Sequence, residues 1–134
     1  MGYVVYAAAK FLAYAVWCGV ALFLVPDRTA TAAAAARFGL VRWGIGLAVG
    51  VVIFFVVGSI SADAAARTYV SVYSPIRAVE WGIMAFFIRG DGSRPMTPGR
   101  AALWCFGGIV VSFASDFLSP DGLAGRFCVG RCLC

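Results

Sequence analysis

The fold of this chain depends on one stretch, Tyr69–Ile88, which reads YVSVYSPIRAVEWGIMAFFI. A helix of this length covers about 30 Å, which is the thickness of the hydrocarbon layer of a bilayer. Two charged residues, Arg77 and Glu80, lie near its middle. A central charge costs about 2.5 to 3.5 kcal/mol, whereas each Val, Ile or Phe contributes only about −0.3 to −0.6 kcal/mol to insertion. We therefore expect this segment to need partner helices if it crosses a membrane.

The two charges can compensate one another, because residues three apart on a helix come within hydrogen-bonding reach. Helical spacing also divides the segment into a polar stripe and an apolar stripe. The polar stripe comprises Tyr69, Tyr73, Arg77, Glu80 and Met84, and the apolar stripe comprises Val72, Ile76, Val79, Ile83 and Phe86. Either the helix spans the membrane with its polar stripe turned into a bundle, or it lies in the interface with that stripe towards water.

The composition indicates an integral membrane protein. Hydrophobic residues make up 63% of the chain and charged residues 13%, whereas about 25% is typical of soluble domains. Because only helices or closed barrels satisfy backbone polar groups in lipid, these long apolar runs predict an all-α fold, with residues 1–134 forming a single polytopic domain. The chain contains no histidine, the commonest metal ligand and the usual general base. We expect no catalytic residues, no cofactor and no metal.

Apolar runs on either side of the central stretch complete the layout. We predict spans at about 3–25, 39–60, 69–88 and 101–118, followed by a tail at 119–134. Four spans would place Arg28, Arg37, Arg42, Arg89, Arg94 and Arg100 on one side, and Arg67, Arg126, Arg131 and Lys10 on the other. This asymmetry is typical of membrane proteins with short loops. It disappears with three spans and one interfacial helix, which is the alternative.

Charged residues inside or beside the first two apolar runs are interpreted as interface residues. Lys10 can extend its amine towards the headgroups, and Arg42 is expected to anchor the second helix at the membrane boundary. Asp116, at the end of the last run, is expected near the boundary, either solvated or paired.

Small residues predict where the helices pack. Gly46 and Gly50 form a GxxxG motif in the second span, which lets another helix approach closely. Gly108 and Ser112 lie four residues apart in the last span and form a similar face. We expect both faces to contact neighbouring helices.

The tail contains three cysteines, Cys128, Cys132 and Cys134. A structural zinc site needs four ligands, and no histidine is present to complete the set. A disulfide among the three is favoured if the tail faces an oxidising compartment. Thioester lipidation of a terminal cysteine is a third interpretation.

The charge distribution suggests lipid contacts. The net charge of +5 comes from arginines at the ends of apolar runs, which indicates anionic headgroups at the arginine-rich loops and no nucleic acid. Other subunits of a membrane complex are the expected protein partners, since aromatic residues make up 15% of the chain.

The absence of a recognisable catalytic pattern indicates that the chain is not an enzyme. We expect a non-catalytic, structural accessory subunit of a larger complex, in an energy-transducing assembly of the respiratory or photosynthetic electron-transport type. Its membrane would be the mitochondrial inner, thylakoid or bacterial inner membrane. The alternative is a small homo-oligomeric transporter or channel that uses the intramembrane pair Arg77 and Glu80.

Overall fold

The protein is a bundle of four long helices in a computed structural model that describes residues 2–25, 31–57, 60–64, 66–89, 96–125 and 127–129. The helices are α1 (Tyr3–Leu24), α2 (Ala32–Val57), α3 (Ala66–Arg89), α4 (Pro98–Phe117) and the short α5 (Pro120–Leu123). Two strands, β1 (Ile60–Ala64) and β2 (Phe127–Val129), pair antiparallel. The predicted helical bundle is confirmed, and this small sheet is an addition that the sequence did not indicate.

Local sequence explains where the helices begin. α2 begins at Ala32, earlier than the predicted span, because an alanine run follows Thr31 and alanine is the best helix former. The Thr31 hydroxyl accepts a hydrogen bond from the Ala34 amide at 3.1 Å. α4 begins with Pro98, whose fixed φ suits the first turn and whose missing N–H is not needed there.

Three of the helices, α1, α2 and α4, are long and apolar enough to cross a membrane. α3 has 24 residues, which is sufficient length, but its charged and polar residues lower its mean hydropathy. The structure therefore agrees with a membrane protein and leaves the position of α3 to be argued from its packing.

Glycines and tryptophans set the distances between α1 and its neighbours. A Cβ on Gly39 would lie 2.7 Å from the Ala15 Cα, so α1 and α2 touch through their backbones there. α1 and α4 exchange hydrogen bonds: the Trp17 indole donates to the Trp104 carbonyl at 3.1 Å, and the Trp104 indole donates to the Trp17 carbonyl at 3.0 Å. Gly107 leaves room for the Trp17 ring.

The buried apolar residues form one main cluster among α1, α3 and α4. Its fully buried members are Tyr14, Cys18, Ala21, Leu22, Val25, Trp81, Met84, Ile88 and Trp104. The Trp81 ring makes edge-on contacts with Tyr14 and Trp104, with centroids 5.9 and 5.1 Å apart. This cluster holds α3 against the other helices.

The outer surface is apolar on all four long helices. Val4 is 83% exposed, Phe55 79%, Phe86 73% and Leu103 72%. On α3 the arrangement is the inverse of that in a soluble protein, because the polar stripe is buried and Val79 is exposed. Apolar patches of this extent fit contact with lipid or with partner helices.

A charge network inside the bundle

Among the described residues, five charged side chains from all four long helices meet inside the bundle, and we call them the interior charge network. The members are Lys10 on α1, Arg42 on α2, Arg77 and Glu80 on α3, and Asp116 on α4. Four ion pairs connect them, and even the most exposed side chain, Lys10, is only 14% accessible. The network therefore joins every long helix through charge-assisted hydrogen bonds.

Asp116 is the acceptor at one end of the network. Its Oδ1 accepts from Lys10 Nζ and, at 3.2 Å, from the Tyr6 hydroxyl. Its Oδ2 accepts from Arg77 Nη2 at 3.0 Å and from the Tyr69 hydroxyl at 2.7 Å. Asp116 was expected near the boundary, solvated or paired; it is paired, and it is only 2% exposed.

Glu80 is the acceptor at the other end. The predicted pair is present, since Arg77 Nη1 donates to Glu80 Oε2 at 2.9 Å. Arg42 Nη2 donates to the same oxygen at 2.6 Å, so a second guanidinium arrives from α2. Arg77 bridges the two carboxylates, which makes the network continuous from Asp116 to Arg42.

Aromatic rings enclose Arg42, which is fully buried. Its guanidinium carbon lies 4.8 Å from the Tyr14 centroid and 4.9 Å from the Trp81 centroid, within the range of cation–π attraction. Its Nη2 also donates to Ser112 Oγ at 3.4 Å, and Ser112 Oγ accepts from the Trp81 indole at 3.0 Å. Arg42 Nε and Nη1 have no hydrogen-bond partner among the described residues. The ring contacts therefore add to the ion pair that Arg42 forms with Glu80.

Lys10 and Arg42, interpreted from the sequence as interface residues, are paired with carboxylates inside the bundle, and the position of Lys10 relative to the headgroups stays a prediction. Arg42 lies ten residues after Ala32, about 15 Å along α2, and is fully buried. Both cations instead neutralise carboxylates from other helices. The sequence contained enough information to predict this pairing. Lys10 and Arg42 fall within the predicted spans, and two buried acids need counter-charges.

The predicted packing glycines have different roles. A Cβ on Gly46 would lie 3.2 Å from Arg42 Nη1 and 3.9 Å from Arg77 Nη1, so this glycine makes room for guanidinium groups. Gly50 is buried. Gly108 lies directly against the Trp81 ring, as expected for a helix-contact position.

The predicted disulfide involves cysteine side chains that the structure does not describe. Cys132 and Cys134 lie outside the described residues, and only the backbone of Cys128 is described, in β2. The disulfide therefore stays a prediction. Cys18 on α1 and Cys105 on α4 are free thiols.

A groove of about 280 Å³ reaches the network from the surface. It is lined on α1 by Tyr6, Ala9, Lys10 and Ala13, and on the opposite wall by Ser115, Leu118 and Leu123. Lys10 is the network residue that lines it, and the remaining lining is mostly apolar. This groove could not be predicted from the sequence, because its two walls are more than 100 positions apart in the chain.

The ion pairs of the network are suited to holding the four long helices together. Each carboxylate accepts from two cations, so both acids are already neutralised. Removing one partner from a buried pair typically costs about 3 to 5 kcal/mol, because it leaves the other charge unpaired.

Comparison with known proteins does not assign a function to this network. No protein-family model, curated protein or solved structure matches the chain. The function is therefore argued from the contacts of the network and the outer surface.

Proposed function

We propose that this chain is a four-span integral membrane protein that acts as a non-catalytic structural component of a larger membrane complex. The observation that carries the proposal is an inverted distribution of polarity. The charged side chains of four helices pair with one another inside the bundle, and the outer surface is apolar. A surface of this kind is suited to contacts with lipid and partner helices.

The orientation of α3 supports a fourth span. A helix lying in the membrane interface would turn its polar stripe towards water. α3 instead buries Arg77 and Glu80, at 7% and 2% exposure, and exposes Val79 and Phe86, at 64% and 73%. A marginal helix of this kind can cross a membrane because its neighbours compensate its charges.

The arginine distribution still favours four spans after Lys10 and Arg42 are assigned to the interior. One side then carries Arg28, Arg37, Arg89, Arg94 and Arg100, and the other carries Arg67, Arg126 and Arg131. Each side loses one cation, so the bias keeps the same size and the same direction.

The same contacts give less support to the transporter alternative. A proton carrier or a general base needs a carboxylate that can exchange its proton with a substrate or with water. Asp116 and Glu80 each lie between two cations and are almost fully buried. This arrangement fits a structural role, in which the charges fix how the four helices meet.

Exposed aromatic residues are the candidate contacts for the complex. Phe54 and Phe55 pack edge-on at 5.6 Å between centroids, and Phe86 and Phe87 do so at 6.2 Å. All four are at least 45% exposed. We place the complex in an energy-transducing membrane, on the basis of the aromatic-rich composition.

Photo-crosslinking in the native membrane tests the proposal. A photoreactive amino acid at Phe55 or Phe86 should crosslink to a larger partner subunit, identified by mass spectrometry of the complex extracted in mild detergent. The same group at Met84, which is fully buried, is the matched control and should give no partner. A lone monomer would contradict the proposal, and a homo-oligomer would favour the transporter alternative.

A further inference from the structure

We propose that the groove between α1 and the α4–α5 region binds an anionic glycerophospholipid. The headgroup phosphate would contact the Lys10 ammonium, and one acyl chain would lie over Ala9 and Ala13. This inference rests on the proposed membrane location, and it does not depend on a partner subunit.

The shape of the groove suits a hydrocarbon chain. Three small residues, Ala9 and Ala13 on α1 and Ser115 on α4, leave space between the helices, and Leu118 and Leu123 add apolar surface. Its volume of about 280 Å³ is close to the lower end of ligand pockets, about 300 Å³. An acyl chain bound there would be held between two helices, unlike lipid on the convex outer surface.

The charge at the base of the groove specifies an anion. An ammonium group has three donor hydrogens, and Lys10 uses two of them, towards Asp116 and towards the Tyr6 hydroxyl at 3.0 Å. No other acceptor for Lys10 lies among the described residues, so the third hydrogen can donate to a ligand, and the side chain is 14% exposed. The network contains three cations and two carboxylates, so it has a net charge of +1 that a phosphate would complement.

The depth of Lys10 agrees with a lipid headgroup. Lys10 lies about 10 Å from the start of α1, but its ammonium contacts Asp116, one residue before the end of α4 at Phe117. A phosphate that contacts this ammonium would therefore lie near the end of α4, where the headgroup region begins, with its acyl chain running deeper past Ala13.

Thermal unfolding of the full chain in a neutral detergent tests the inference. Phosphatidylglycerol should raise the Tm by about 3 °C or more, because it binds the folded state. Phosphatidylcholine and inorganic phosphate should each leave the Tm unchanged. An equal rise in Tm with phosphatidylcholine would show that the groove does not select a negative charge. A rise in Tm with inorganic phosphate alone would show that the ligand is a free anion and not a lipid.

Two groove-filling variants locate the effect. Ala13→Leu fills the groove from α1, Ser115→Leu fills it from α4, and Ala8→Leu is the matched control on the exposed surface of α1. Either groove variant that folds should lose the rise with phosphatidylglycerol, and the control should keep it. A retained rise in a folded groove variant would overturn the site, and if neither variant folds, the wild-type lipid comparison decides. If crosslinking finds no partner but phosphatidylglycerol still raises the Tm, the proposed membership of a complex is wrong and the lipid site stands.

Discussion

Asp116 is the residue on which the interior contacts converge. It accepts hydrogen bonds from four side chains on two other helices, including both a lysine and an arginine. Sequence reasoning found Asp116 and the pair formed by Arg77 and Glu80, because local spacing and apolar surroundings were sufficient. It did not find the partners on α1 and α2, since a pairing over 106 positions depends on how the helices are arranged.

Asp116→Asn should lower the free energy of unfolding by about 3 to 5 kcal/mol, because Lys10 and Arg77 would both lose a counter-charge inside the bundle. Asp121→Asn is the control. That carboxylate accepts from the Tyr3 hydroxyl at 3.2 Å near the surface, and its loss should cost no more than about 1 kcal/mol. Unfolding in mixed detergent micelles measures both variants. Equal losses would show that the network does not contribute more than a surface contact.

Helix pairing shows a similar limit of sequence reasoning at the scale of elements. The GxxxG motif at Gly46 and Gly50 predicts close packing, yet a backbone contact between α1 and α2 occurs at Gly39, outside that motif. Small residues indicate that close packing is possible, but the partner surface selects which of them are used. For the same reason Gly107, beside Trp17, was not singled out.

Two glycine variants on α2 should shift stability in opposite directions. Replacement of glycine by alanine in a helix adds about 1 kcal/mol of helix propensity at either site. At Gly39 the new Cβ would lie 2.8 Å from the Ala15 backbone nitrogen, whereas the described residues leave 4 Å free around Gly44. Gly39→Ala should therefore lower the Tm and Gly44→Ala should leave it unchanged or raise it. A common response of both variants would refute the close approach.

The whole molecule depends on whether α3 crosses the membrane. The sequence predicted its length and its two stripes, and the buried stripe agrees with that prediction. Mean hydropathy alone identifies three spans, because it scores a charged residue in the same way whether or not an opposite charge is paired with it. Only the three-dimensional contacts explain why a helix with two central charges fits among apolar helices.

Cysteine labelling tests the crossing of α3. Thr68→Cys and Thr97→Cys place thiols at exposed positions near the two ends of α3, in a chain whose native cysteines are replaced by alanine. If α3 spans the membrane, a membrane-impermeant maleimide should label the two positions from opposite sides of sealed vesicles. Labelling of both from the same side would establish the interfacial alternative.

The interior charge network also constrains how the chain is made. When α1, α2 and α3 have left the ribosome, they contain three cations and only one carboxylate of the network, because Asp116 is near the end of α4. A nascent chain at that stage would hold two uncompensated positive charges, so α3 is poorly suited to enter lipid permanently. Stable insertion of α3 should follow the synthesis of α4. If α3 crosses the membrane, as we propose, its assembly is therefore completed only when α4 brings the second carboxylate of the network.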